Sequence, residues 1–241
     1  MTDATMSLDG KRVIVIGGSS GIGFAVAELA RGMGAEVVIA SGNSANVDAA
    51  VARLPGARAA SVNLRDETSV SRLFADLGTF DHLAITAGDW GGTMFAATRD
   101  LDIAAARDGL EVRFWGALAA VKHGSRTIAP GGSITLTSGM LAHRPRKAAP
   151  LATAFGGAVE HLARGLAVDL APVRINAVCP GITLTDHVKK MPQEMLRTYT
   201  DGLPLPRGAS PAEAAMAYVY LMLNGYVTGQ ILPVDGGGWL V

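Results

Sequence analysis

Short apolar runs recur along the chain, separated by longer stretches in which apolar residues return every three or four positions. The runs are Arg12–Ile16, Glu36–Ala40, Arg58–Val62, His82–Ile85, Ser133–Thr137, Arg174–Val178 and Gln230–Val234. Each is of strand length, most are rich in Val and Ile, and most are apolar at consecutive positions. That is the pattern of strands buried on both faces of a parallel sheet. The intervening stretches predict helices near 22–33, 46–53, 67–77, 101–127, 156–170 and 211–223. Strand and helix alternate over the whole length, which predicts an α/β fold, a Rossmann-type doubly wound parallel sheet of seven strands in three α/β/α layers. Right-handed crossovers place helices on both faces. Ser210-Pro211-Ala212-Glu213 predicts a helix start, with Ser as N-cap, Pro in the first turn and Glu at the capping-box position. The stretch 183–209 is less regular and holds Pro192, Pro204 and Pro206, which predicts a mobile lid before the last helix and strand. With no linker, repeat or low-complexity tract, residues 1–241 read as a single domain.

Composition narrows the function. Hydrophobic residues make up 49% and charged residues 17% of the chain, so a sizeable core is available and intrinsic disorder is excluded. Lys+Arg and Asp+Glu number 21 each, and no basic surplus points to nucleic acid or an anionic membrane. Near-zero net charge also favours self-association. The start, MTDATMSL, has neither the basic nor the apolar region of a signal peptide, and the apolar runs are too short to span a bilayer. A lone cysteine, Cys179, excludes an intrachain disulfide and a Cys-rich metal site, which fits a reducing, cytoplasmic location. The histidines His82, His123, His161 and His187 have no metal-ligand spacing and are assigned to core or surface, so no metal is expected.

The 30 glycines cluster in a few loops, and those loops carry the chemistry. Gly17-Gly18-Ser19-Ser20-Gly21-Ile22-Gly23 follows the first strand and opens the first helix. Gly17 permits a tight turn and close backbone approach. Gly21 and Gly23 let the helix begin against the strand with its free N–H groups facing a pyrophosphate. Ser19 and Ser20 add hydroxyl donors. A purely structural glycine turn is the alternative, and the flanking strand and helix favour the nucleotide.

The glycine spacing G-x-x-x-G-x-G, Thr86-Ala87-Gly88 after the fourth strand, and Gly131-Gly132-Ser133-Ile134 through Ser138 resemble the short-chain dehydrogenase/reductase family. So do Leu166 through Pro180-Gly181 and Gly229 through Gly236-Gly237. The resemblance covers nearly the whole chain. It implies NAD(P) as cofactor and a small-molecule carbonyl or enone substrate. It implies that Asn63 and Leu64 contact adenine and that Ala87 and Gly88 line the ribose–pyrophosphate cleft. Pro180, Gly181, Ile182, Thr183 and Thr185 would hold the nicotinamide carboxamide and nearby phosphate. For Pro180-Gly181 a plain turn is the alternative. The second strand ends Ala40-Ser41-Gly42-Asn43, with no carboxylate to repel a 2′-phosphate and with Ser41 and Asn43 as donors. No Arg stands there, and Phe24 follows the loop where an NADP enzyme often has Arg. The balance leans to NADP over NAD. The family is commonly tetrameric, and the small surface of Ala154, Gly156, Gly157 and Ala158 predicts a homo-oligomer, a tetramer.

At the catalytic site the family pattern breaks. The resemblance implies a Tyr 13 or 14 residues after Ser138 and a Lys four further on. Matching Gly157-Ala158-Val159-Glu160 to the family helix puts Ala152 and Gly156 there, and a shift by one puts Leu151 and Phe155. Arg113 stands where the family has Asn, and Thr86 replaces one of an Asn pair. What remains is Ser138, Arg113 and His143. Ser138 could bond a substrate oxygen or merely satisfy backbone. Arg113 could stabilise an oxyanion or bind a carboxylate, or be an ordinary helix arginine, although Trp115 and Gly116 suit a buried helix. His143 could replace the missing acid, with a solvated basic loop around Arg144, Arg146 and Lys147 as the alternative. Trp90 and Trp239 edge the substrate mouth or simply pack, and Tyr218 and Tyr220 read as packing on the last helix. Two functions follow: an oxidoreductase that transfers hydride without the Tyr–Lys acid, or a silent NAD(P)-binding sensor or assembly subunit.

Overall fold

The computed structural model describes residues 6–88 and 94–241. Seven strands form one parallel sheet in the order β3-β2-β1-β4-β5-β6-β7. They are β1 Arg12–Ile16, β2 Glu36–Ser41, β3 Arg58–Ser61, β4 Phe80–Ile85, β5 Ile128–Thr137, β6 Arg174–Pro180 and β7 Ile231–Val234. Burial on both faces holds for the inner strands, whereas β3 and β7 are the sheet's two edges and are largely exposed or half-buried.

The helices are α1 Gly21–Gly32, α2 Ser44–Arg53, α3 Glu67–Leu77, α4 Ile103–Asp108, α5 Ala117–Gly124, α6 Pro150–Asp169, α7 Gln193–Thr200 and α8 Pro211–Leu223. They form the two outer layers. Ile134, Leu136, Ile175 and Ala177 pack with α3, α5 and α6 on one side, and Val13, Val15, Ile39 and Val178 with α1, α2 and α8 on the other. The order of strands reverses between β1 and β4. There the chain leaves in opposite directions and opens a crevice at the strands' carboxyl ends, the place where such sheets bind ligands.

Two helical expectations differ from the structure. The stretch 101–127 is not one helix: after α4 it passes through a π-helical segment, Glu111–Gly116, before α5. Gly109 and Gly116 lower helix propensity at both ends of that break, and a Cβ on Gly116 would strike Leu64. The helix expected from residue 156 starts six residues earlier, with Pro150 in its first turn. The capping box at Ser210 and Glu213 is formed as expected.

The stretch 183–209 holds α7 and a short 3-10 turn, Val188–Lys190. Its two ends are tied to each other by Leu184 N–H donating to the Ala209 carbonyl, and its C-terminal part to the body by Ala209 N–H donating to Ile182 and Leu205 N–H to Gly236.

Candidate active site

The glycine turn after β1 is shaped by backbone, not by side chains. Gly17 has φ +88° and Gly21 φ +54°, both in the region that favours glycine. A Cβ on Gly17 would collide with the backbone of Ala87, and one on Gly23 with the carbonyl of Gly17 and the Thr86 hydroxyl. The turn is anchored from both sides: Gly17 N–H donates to Ala40, and Thr86 and Ala87 N–H donate to Ile16. Ser20 is the N-cap of α1, yet its side chain makes no capping bond, which leaves the first amides of the helix for an anion. These features fit a dinucleotide pyrophosphate: a cradle that any larger residue would fill, at the positive end of a helix, in the crevice of the sheet.

Of the other cofactor candidates, Thr185 packs on Gly21, its methyl 3.0 Å from where a Cβ would be. Thr183 is buried, and its hydroxyl donates to the Gly181 carbonyl. Gly181 N–H donates to Val234, so Pro180, Gly181 and Ile182 form the rim above β6 and β7. Asn43 is already engaged: its side chain caps α2 by accepting from Asn46 N–H. Asn63 likewise accepts from Arg65 N–H, and Leu64 is buried against Gly116. Half-buried Ser41 ends β2 and exposed Gly42 and Asn43 follow it, with no acidic side chain among the three.

Arg113 is brought into the crevice by the π-helical segment. Its guanidinium lies over Gly88, where any Cβ would collide with it. Burial pushes the Tyr218 hydroxyl pKa upward, while its bond to Thr137 at 2.6 Å and the charge of Arg113 pull it back. Arg113 is half-buried, whereas Trp115 is 53% exposed, so only one side of this segment packs inward. Such irregular helical turns are frequent at functional sites.

Ser138 is buried and already engaged. It is 5% exposed, and its hydroxyl donates to Glu160 Oε1 at 2.9 Å. Strand alternation turns the next residue the other way: a Cβ at Gly139 would meet open space. His143 reaches the same carboxylate, with Nε2 2.9 Å from Glu160 Oε1. Its ring stacks on Trp239 at 3.7 Å between centroids. Asp235 holds that tryptophan by accepting from its backbone N–H at 2.7 Å, and Arg144 donates to the Gly238 and Trp239 carbonyls. Cys179 completes the cluster, its thiol pushed up to about 12 chiefly by burial.

Glu160, only 2% exposed, is the residue that sequence reasoning missed. The signal was present: residues 152, 156 and 160 share one face of α6, and an acid stands where that face otherwise carries Ala and Gly. Ala152 is buried with Met94, Ala149 and Phe155 in a small apolar cluster. Gly156 is covered by the loop after β5, so that a Cβ there would stand 3.0 Å from Ala142 Cβ. No Tyr or Lys occurs between Pro150 and Glu160. Trp90 lies outside the described residues.

Comparison with known proteins fits this geometry. The enoyl-(acyl carrier protein) reductase family model matches residues 16–238. The chain is 35% identical to the short-chain dehydrogenase/reductase ucsE of Acremonium sp, across 95% of this chain and 96% of that protein. The chain belongs to the short-chain dehydrogenase/reductase family. Among solved members, a small-chain dehydrogenase in complex with NADPH is 34% identical, with 96% of this chain and 99% of that one covered and a TM-score of 0.82. The MalC reductase/Diels-Alderase of Malbranchea aurantiaca is 30% identical, with 99% of both chains covered and a TM-score of 0.88. Among the described residues no helix is long and apolar enough to cross a membrane.

Proposed function

We propose that this short-chain dehydrogenase/reductase is an atypical oxidoreductase that moves a hydride between NADP(H) and a small carbonyl or enone without a Tyr–Lys acid. The observation that carries the reading is the glycine cradle at the head of α1, where Gly17 and Gly23 leave no room for a side chain and the Ser20 side chain makes no capping bond. The bound nicotinamide would supply or accept the hydride. NADP is favoured over NAD by the lack of an acid after β2 and by the NADPH-bearing relative.

The chain's own residues then have separate tasks. Gly17, Ser19, Ser20, Gly21, Ile22 and Gly23 grip the pyrophosphate. Ala87 and Gly88 floor the crevice, and the segment from Pro180 to Thr185 holds the nicotinamide end. Ser41 and Asn43 face the adenosine ribose, and Asn63 and Leu64 the adenine. Arg113, above Gly88, stabilises negative charge developing on a substrate oxygen. His143, backed by Glu160, is the proton source for that oxygen, and Ser138 fixes the carboxylate. The apolar packing at Ala152 and the covered Gly156 support an acid from outside the usual helix. A homo-tetramer is the proposed assembly, with Gly157 and Ala154 on the outer surface of α6 allowing close helix approach.

The test is a fluorescence titration with NADPH and NADH, followed by a carbonyl and enone screen read as loss of nicotinamide absorbance. The reading expects tighter NADPH binding, turnover of at least one substrate class, and a fall of about 10²-fold or more in kcat for Arg113→Ala. Binding without turnover, unchanged by Arg113→Ala, identifies a silent nucleotide-binding protein instead. No binding of either nucleotide removes both.

A further inference from the structure

The loop between β5 and α6 borders two open pockets. One, of about 590 Å³, lies between this loop and α7, with Leu141, Ala149, Met195 and Tyr199 on its walls. The other, of about 470 Å³, lies beside Arg99 and Pro150. Arg146 and Lys147 line both. The larger volume is that of a small-molecule site.

The two cations differ in employment. Arg146 is occupied: it donates to the Thr198 carbonyl at 2.7 Å, and its guanidinium covers the Tyr199 ring at 3.9 Å. It thereby ties the loop to α7. Lys147 has no hydrogen bond or ion pair with any described residue. The residue after it, Ala148, has φ +60°, a left-handed conformation that is unfavourable for alanine. The chain accepts that conformation at the point that sets Lys147 at the junction of the pockets. Two walls of the larger pocket, Leu141 and Ala149, pack in the same apolar cluster as Ala152, where the family resemblance implies the catalytic Tyr.

We infer that the substrate is an apolar molecule carrying one anionic group, a carboxylate or a phosphate, and that Lys147 is the residue that recognises the anion. The apolar body lies along Leu141, Ala149 and Met195, and the charge meets the ammonium at the pocket junction. This specifies the substrate class for the oxidoreductase reading above and rests on it.

The experiment uses the NADPH-saturated full chain and the fluorescent probe 8-anilinonaphthalene-1-sulfonate, displaced by decanoate, decyl phosphate or decanol. An anion should displace the probe at roughly one-tenth the concentration decanol needs, given the strength of charge-assisted bonds. The tighter of decanoate and decyl phosphate identifies the anion. Lys147→Ala should erase the advantage over decanol while leaving NADPH affinity and thermal midpoint unchanged, since the side chain is exposed. Equal displacement by decanol, or an anion advantage that survives Lys147→Ala, overturns the inference. NADPH titration of both proteins, run first, reports separately on the oxidoreductase reading.

Discussion

At the residue scale the crevice depends on places where no side chain fits. Gly23 is the sharpest case, because an added methyl would meet the Gly17 carbonyl and the Thr86 hydroxyl together. One obstacle is the turn's own backbone and the other the segment after β4 that walls it, so relief requires the cradle to open. Gly23→Ala should therefore weaken NADPH binding by tenfold or more and lower the thermal midpoint, as a nicotinamide fluorescence titration and a melt would record. Cys179 makes the opposite kind of prediction. With burial holding its thiol at about 12, the thiolate that reacts is all but absent at neutral pH. A thiol reagent should leave the native chain unlabelled and modify its single cysteine in guanidinium; rapid labelling of the native protein would show that the β6 end is open. The glycines were legible in the sequence because backbone geometry restricts which residue can stand there. Glu160 was not, because a buried acid becomes intelligible only when its partners, 17 and 22 residues away, are seen around it. The bond from Ser138 to that same acid, 22 residues along the chain, was hidden for the same reason.

At the element scale, periodicity placed every strand and most helices, since burial on one face or two imposes a spacing that the residues must obey. It failed where packing outweighs propensity. The π-helical segment has no periodic signature; it lies where Gly116 closes on Leu64 and it carries Arg113 over Gly88. The early start of α6 was hidden by Gly156 and Gly157, poor helix formers that the layer beneath holds in a helix. The start of α8 is the reverse case, written locally and read locally. Ser210 accepts from Glu213 N–H at 3.2 Å while Glu213 accepts from Ser210 N–H at 2.8 Å. Arg207 and Ser210 hold the Glu213 carboxyl down at about 2, so the box persists into acid. Ser210→Ala should cost about 1 kcal/mol in a denaturant titration. It should leave nucleotide affinity intact, because α8 contributes no residue to the cradle. A loss of binding would mean that α8 and α1, which pack against each other, transmit the change.

At the scale of the whole molecule, one polar row crosses three adjacent strands on the face beneath α8. His82 on β4 pairs in register with Ser133 on β5, and Ser133 with Arg174 on β6. His82 Nδ1 lies 2.9 Å from the Ser133 hydroxyl, and Arg174 donates to the Leu221 and Met222 carbonyls at the end of α8. Burial, and after it the charge of Arg174, lowers the His82 pKa to about 4, against a smaller upward pull from Asp81; Lys11 adds slightly to the lowering. The unfolded chain would protonate this histidine near 6.5. Between 6.5 and 4 the unfolded state thus binds a proton that the folded state refuses, and stability must fall as pH falls through that window. The full effect is on the order of 3 kcal/mol. Asp81, whose pKa is lowered by Arg12 N–H and Lys11 despite burial, acts at more acid pH, below its ordinary value of 3.8. Denaturant midpoints at pH 7.5, 5.5 and 4 should therefore decline steadily in the wild type and far less in His82→Gln, whatever that variant's own stability at pH 7.5. Equal declines in both proteins would assign the acid sensitivity to another group and leave the row across β4, β5 and β6 with a packing role alone.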